Sequence, residues 1–98
     1  MARYDVYANP GGGYVLDVQA DLLDELKTRI VIPLIIKDMA PIPAKRLNPS
    51  LEIEGDEHVL VTQFMSAIPV SILKNSVTNL SVSHDEIVSA LDMAFHGF

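Results

Sequence analysis

At 98 residues, with thirteen acidic side chains against seven basic ones and no cysteine, the chain carries a net charge of −6 and supports a single core. A disulfide framework and a thiolate metal site are excluded. The cations are scattered, with only Lys45 and Arg46 adjacent, which argues against direct binding of DNA or RNA. Hydrophobic residues make up 49% of the chain, and a chain this short and apolar is expected to bury surface against a copy of itself. The longest apolar run, Ile30 to Ile36, is broken by Pro33 and falls well short of the ~18 residues of a membrane span. Met1-Ala-Arg-Tyr-Asp has no apolar signal core, so the expected address is cytoplasmic.

In chain order, Arg3 to Tyr7 reads as a strand. Asn9-Pro10-Gly11-Gly12-Gly13 is the strongest turn signal, and Tyr14 to Gln19 returns as a second strand, giving a hairpin with a long tip. The glycines lack the Lys-Ser/Thr of a phosphate loop, so a plain turn is the reading. Asp21 to Glu25 predicts one helical turn. Arg29 to Ile36 is β-branched almost throughout and predicts a strand buried on both sides. Pro33 must then place its missing N–H at an edge, a bulge or an unpaired position. Lys37 to Pro49, with three prolines, reads as an irregular connection. Leu51 to Glu54 and His58 to Phe64 form a second hairpin turning at Gly55-Asp56. Ile68 to Leu73 is a further short strand or turn, and Lys74 to Val82 leads into the last element.

That element is the best-defined helix of the chain. Ser83 and Glu86 have the spacing of a capping box, and Asp85 and Glu86 suit the positive end of the helix dipole. Ile87, Val88, Leu91, Ala94 and Phe95 recur as one apolar face, and Gly97 stands where a left-handed residue stops a helix. Two of the three phenylalanines lie in the last four positions. Phe98 either folds back as core or, with His96 and Gly97, forms a contact surface of the kind aromatic anchors supply. Six or seven antiparallel strands and one helix make a small, partly open barrel the expected architecture.

The residues offer no convincing active site. His58, His84 and His96 lack metal-ligand spacing. Glu52, Glu54, Asp56 and Glu57 crowd a hairpin tip without the ligand order of a calcium loop, so a solvated turn is favoured. No nucleophile elbow surrounds any serine. No cofactor is expected. Asp92 and His96 sit four apart, an arrangement suited to binding or capping as much as to proton transfer.

Several segments together resemble the CcdB toxins of type II toxin–antitoxin modules: Asp17 to Asp24, Arg29 to Leu34, Arg46 to Pro49, Val61 to Gln63, Ile68 to Ser71 and Phe95 to Phe98. The resemblance covers almost the whole chain. It implies a homodimer with an SH3-like barrel fold and a C-terminal helix. It also implies a non-enzymatic toxin that binds the A subunit of DNA gyrase and traps the complex with cleaved DNA, and that a CcdA-like antitoxin neutralises. Carried over by position, the gyrase surface comprises His96, Gly97, Phe98 and Asp92, with Leu22 and Leu23 from the turn after the second strand. The antitoxin surface extends over Ala8, Asn9, Pro10, Gly11, Gly12, Gly13 and Tyr14. His96 stands where the family has tryptophan, Phe98 where it has isoleucine, and Asp92 where it has asparagine. A MazF-type endoribonuclease shares the barrel, but the second strand lacks its arginine, leaving Arg29 as the residue to test. A non-toxic module that keeps only the antitoxin partner is the other alternative, motivated by His96.

Overall fold

A nine-residue strand, Thr28–Ile36, is the hub around which the other strands are arranged. The computed structural model describes residues 1–97. Among these, seven strands precede one helix: β1 (Asp5–Ala8), β2 (Tyr14–Asp17), β3 (Thr28–Ile36), β4 (Ser50–Ile53), β5 (Asp56–Leu60), β6 (Ser66–Pro69), β7 (Ser76–Asn79) and α1 (His84–His96). Every pairing is antiparallel. The order β4-β5-β3-β2-β1-β7, with β6 also on β3, gives the curled half-barrel closed by one helix that the sequence predicts.

β3 runs beside β2 along one side and meets two strands in turn along the other. Thr28 to Val31 face β6, and Leu34 to Ile36 face β5. Pro33 falls in the gap between these partners, and its carbonyl accepts the Val61 N–H at 3.0 Å. The missing proline N–H thus sits where no strand asks for a donor, one of the positions open to proline in a sheet.

Alternate residues of β1, β2 and β3 face two separate apolar clusters, as period-2 geometry requires. Val6, Leu16, Ile32 and Leu34 join Leu51, Ile53, Leu60, Leu80, Ile87 and Ala90 in the main core under α1. Tyr7, Val15 and Val31 form a second cluster on the other face with Leu73 and Ile68. β3 is therefore covered on both faces only in its middle. Ile30 and Ile36, nearer its ends, are exposed.

Local expectations hold at some places and shift at others. The predicted turn after Ala20 is a single 3₁₀ turn, Asp21–Leu23. The second hairpin turns one residue early: Glu54 (φ 52°) and Gly55 (φ 88°) are its two central residues, the left-handed pair of a type I′ turn. β5 stops at Leu60 and continues as a 3₁₀ turn, Thr62–Phe64. A strand the sequence reading did not place, β7, lies within Lys74 to Val82 and pairs with β1.

The capping box does not form. Ser83 (φ −101°, ψ 19°) makes no side-chain cap bond, and its N–H is taken by the Leu80 carbonyl at 2.9 Å, so Glu86 has nothing to cap there. A 3₁₀ turn, Ser81–Ser83, leads directly into α1. The side chain that orders this entry is Asn79, whose Oδ1 accepts the Ser81 N–H at 2.9 Å. Its Nδ2 donates to the Arg3 carbonyl at 3.1 Å and to Asp5 Oδ1 at 2.8 Å.

Candidate functional site

The terminal turn of α1 is displayed rather than buried. Gly97 stops the helix in the left-handed conformation (φ 78°), its N–H bonded to the Met93 carbonyl at 3.1 Å, as the sequence predicts. Ile87 and Ala90, with Leu91 beside them, carry the helix into the main core. The apolar stripe continues to Ala94 and Phe95, but the core does not, and Phe95 is 67% exposed. Beneath it lies an open groove of about 610 Å³ between the helix and two loops, lined by Leu47, Thr62, Met65, Met93, Ala94 and Phe95 among others. Asp92 and His96 are exposed on the same last turns. Phe98 lies outside the described residues, and so does the choice between core and contact surface made for it.

Leu22 and Leu23 occupy the Asp21–Leu23 turn, which has no buried residue. Leu22 is 95% exposed and Leu23 47%. The turn is tied down by polar bonds. The Arg3 N–H donates to Asp21 Oδ1 at 2.8 Å, and Gln19 Nε2 donates to the Leu23 carbonyl at 2.7 Å. The helix end and this turn are thus two patches on different elements.

The third expected surface, Ala8 to Tyr14, is the tip of the first hairpin. Asn9 shapes it, accepting the Gly12 N–H on its carbonyl at 2.8 Å and the Gly11 N–H on Oδ1 at 3.2 Å. Gly13 (φ 71°) passes so close to β3 that a Cβ there would lie 2.7 Å from the Leu34 carbonyl oxygen, so glycine is required on both counts. Tyr14 links the tip to the acidic second hairpin, donating to Glu54 at 3.3 Å and meeting the His58 ring edge-on at 5.2 Å. Glu57 of that hairpin pairs with Lys37 at 3.1 Å. A groove of about 660 Å³ runs from Gly11, Gly12 and Gly13 past Ile35 to the exposed Met39 and Phe64. Among the described residues, no group of three or more His, Cys, Asp or Glu side chains is placed to hold a metal.

Residues the sequence reading missed are the buried polar ones. Arg29 and Asp17 are fully buried and joined by a 2.7 Å bond from Arg29 Nε to Asp17 Oδ2. Burial pushes the Asp17 carboxyl above its ordinary range, and the Arg29 guanidinium and the Gln19 N–H pull against that shift without cancelling it. Tyr7, on the same face, is also pushed up, first by burial and then by the charges of Asp5 and Asp17. Gln19 accepts the Ile30 N–H at 3.2 Å while holding Leu23. Asn48 knits the irregular connection to the sheet. Its Nδ2 donates to the Leu60 carbonyl at 3.0 Å and to Gln63 at 2.8 Å, and its Oδ1 accepts the Ala44 N–H at 3.0 Å. The one available signal was a polar residue enclosed by apolar neighbours, as in Val18-Gln19-Ala20.

These interlocks join four of the segments that carry the family resemblance. Asp17 to Asp24 and Arg29 to Leu34 meet through the ion pair and Gln19. Arg46 to Pro49 and Val61 to Gln63 meet through Asn48 and through the Thr62 hydroxyl, which donates to the Leu47 carbonyl. No described helix is long and apolar enough to cross a membrane. The family described as CcdB protein matches residues 3–97, a span that takes in every strand, the helix and both apolar patches. The chain therefore belongs to the CcdB family, the toxins of toxin–antitoxin modules.

Proposed function

We propose that this toxin poisons DNA gyrase by binding its A subunit and trapping the cleaved DNA complex, and that it acts by contact rather than catalysis. The family match over residues 3–97 carries this reading. The exposure of Leu22, Leu23 and Phe95, in patches where a monomer would otherwise bury apolar side chains, supports it. In the proposed complex two protomers associate near the end of α1, bringing His96, Gly97 and Phe98 of each together with Asp92. Leu22 and Leu23 extend the surface. The open groove under Phe95 gives a second protomer apolar area to cover. Two copies of the tail then act jointly through effective concentration. A CcdA-like antitoxin engages the overlapping surface that reaches the hairpin tip, Ala8 to Tyr14, and the net charge of −6 attracts basic segments of either partner.

The test is gyrase supercoiling and DNA-cleavage assays on the intact protein, a form lacking Gly97 and Phe98, and His96→Trp. The truncated form loses poisoning and cellular growth arrest, whereas persistence of both sinks the assignment of the tail. His96→Trp poisons at roughly two- to fivefold lower concentration, as an indole stacked on an arginine gains about 0.5–1 kcal/mol of cation–π energy.

A second reading, a module that binds antitoxin but no longer poisons gyrase, is favoured by His96 in place of the family's tryptophan. It wins if the protein binds antitoxin but fails to retain gyrase A. The endoribonuclease alternative loses the residue it depended on: Arg29 is fully buried and bonded to Asp17, out of reach of an RNA strand.

A further inference from the structure

We infer that Gln19 is a positioning residue for target binding: a buried amide that sets the Asp21–Leu23 turn in the conformation that displays Leu22 and Leu23. The inference rests on the reading that these leucines touch gyrase.

The turn cannot be held by apolar burial. None of its residues is buried, and Leu22 stands 95% exposed. Its own backbone bonds, Leu23 N–H to the Ala20 carbonyl at 2.9 Å and Asp24 N–H to the Asp21 carbonyl at 3.2 Å, are solvent-accessible and short-range. Such bonds alone leave a segment open to local fraying. From outside, the Arg3 N–H holds Asp21 Oδ1 at 2.8 Å, and the Val70 N–H holds the Lys27 carbonyl, just before β3, at 2.9 Å. The Leu23 carbonyl accepts two bonds, a local one from the Leu26 N–H at 3.2 Å and one from outside the turn, from Gln19 Nε2 at 2.7 Å.

Gln19 is itself fixed from behind. It is only 3% exposed, its Oε1 accepts the Ile30 N–H of β3 at 3.2 Å, and its own N–H donates to Asp17 Oδ1 at 3.0 Å. Asp17 is held in turn by Arg29 at 2.7 Å. A rigid chain of contacts thus runs from the sheet interior to the display turn, the supporting arrangement a precise contact surface needs. Without the Gln19 amide the displayed conformation becomes one of several, and apparent affinity falls in proportion to its population.

The experiment measures binding of the full-length protein to purified gyrase A subunit, with amide hydrogen exchange read by NMR. Gln19→Met, similar in length but without the amide, weakens gyrase binding by about tenfold. It speeds exchange at Leu23, Asp24 and Leu26 while Leu60 and Val61 are unchanged. In a Leu22→Ala, Leu23→Ala background, Gln19→Met causes no further loss of affinity, whereas a merely structural role would weaken both backgrounds alike. Where Gln19→Met does not fold, Gln19→Glu keeps the acceptor for Ile30, removes the donor to Leu23 and is read the same way. If the double-alanine protein binds gyrase normally, the leucine reading falls and the inference with it. If that protein binds weakly but the Gln19 variant binds normally or its loss is additive, the inference alone is overturned.

Discussion

Arg29 brings a full charge into the interior with one close acceptor. Its Nε bonds Asp17 at 2.7 Å, while Nη1 and Nη2 are buried with no hydrogen-bond partner among the described residues. A buried pair seldom adds net stability against an apolar replacement, but removing one member leaves the other uncompensated. Asp17→Asn is therefore expected to cost about 3–5 kcal/mol, measured by urea denaturation. An Arg29→Met, Asp17→Leu double replacement should recover much of that loss, and a double variant as unstable as the single one would show that packing, not charge, sets the cost. None of this was legible from the residues alone. An arginine between Thr28 and Ile30 looks like a strand-edge cation, and its acceptor is twelve positions earlier, brought alongside only by the register of β2 on β3.

Among the elements, β3 was the most legible, because a β-branched run has few alternatives to a central strand. The proline inside it was equally legible, since its constraint is local and the fold satisfies it at the gap between β6 and β5. β7 was not. Ser76-Val77-Thr78-Asn79 has no buried residue, so no apolar alternation announces it, and its pairing depends on the free edge of β1 from the other end of the chain. The helix itself was read correctly, but its entry was not. Ser83 and Glu86 have the right spacing, yet the 3₁₀ turn before them uses the Ser83 N–H first. Two substitutions separate the expected cap from the observed one. Ser83→Ala should change stability by less than about 0.5 kcal/mol. Asn79→Ala, which removes three hydrogen bonds, should cost about 1–2 kcal/mol. Equal losses in chemical denaturation would restore the capping box. Of the candidate site, the aromatic tail was legible in the residues as one of two readings, whereas Leu22 and Leu23 entered only through the resemblance, because two leucines in a short turn carry no periodic signature.

At the scale of the whole molecule, the two apolar clusters make stability depend on pH in the alkaline range. Tyr4 in the main core and Tyr7 in the second cluster both hold their protons more tightly than usual, chiefly through burial. A tyrosine in the unfolded chain ionises near pH ~10. A folded-state pKa raised above that value contributes stability that is fully present below it and is lost as pH rises through the folded value. The denaturation midpoint is therefore expected to fall between pH 8 and pH 11, and Tyr7→Phe should reduce that fall. An identical drop in the variant would assign the effect elsewhere. The pairing of Asp5 with Asn79 has a further consequence. During synthesis on the ribosome, β1 emerges first yet waits for a neighbour seventy-odd residues behind it, a long-range closure of the kind that forms slowly. Until then its outer edge is open to any passing strand. Completion of the sheet is thus deferred until β7 arrives.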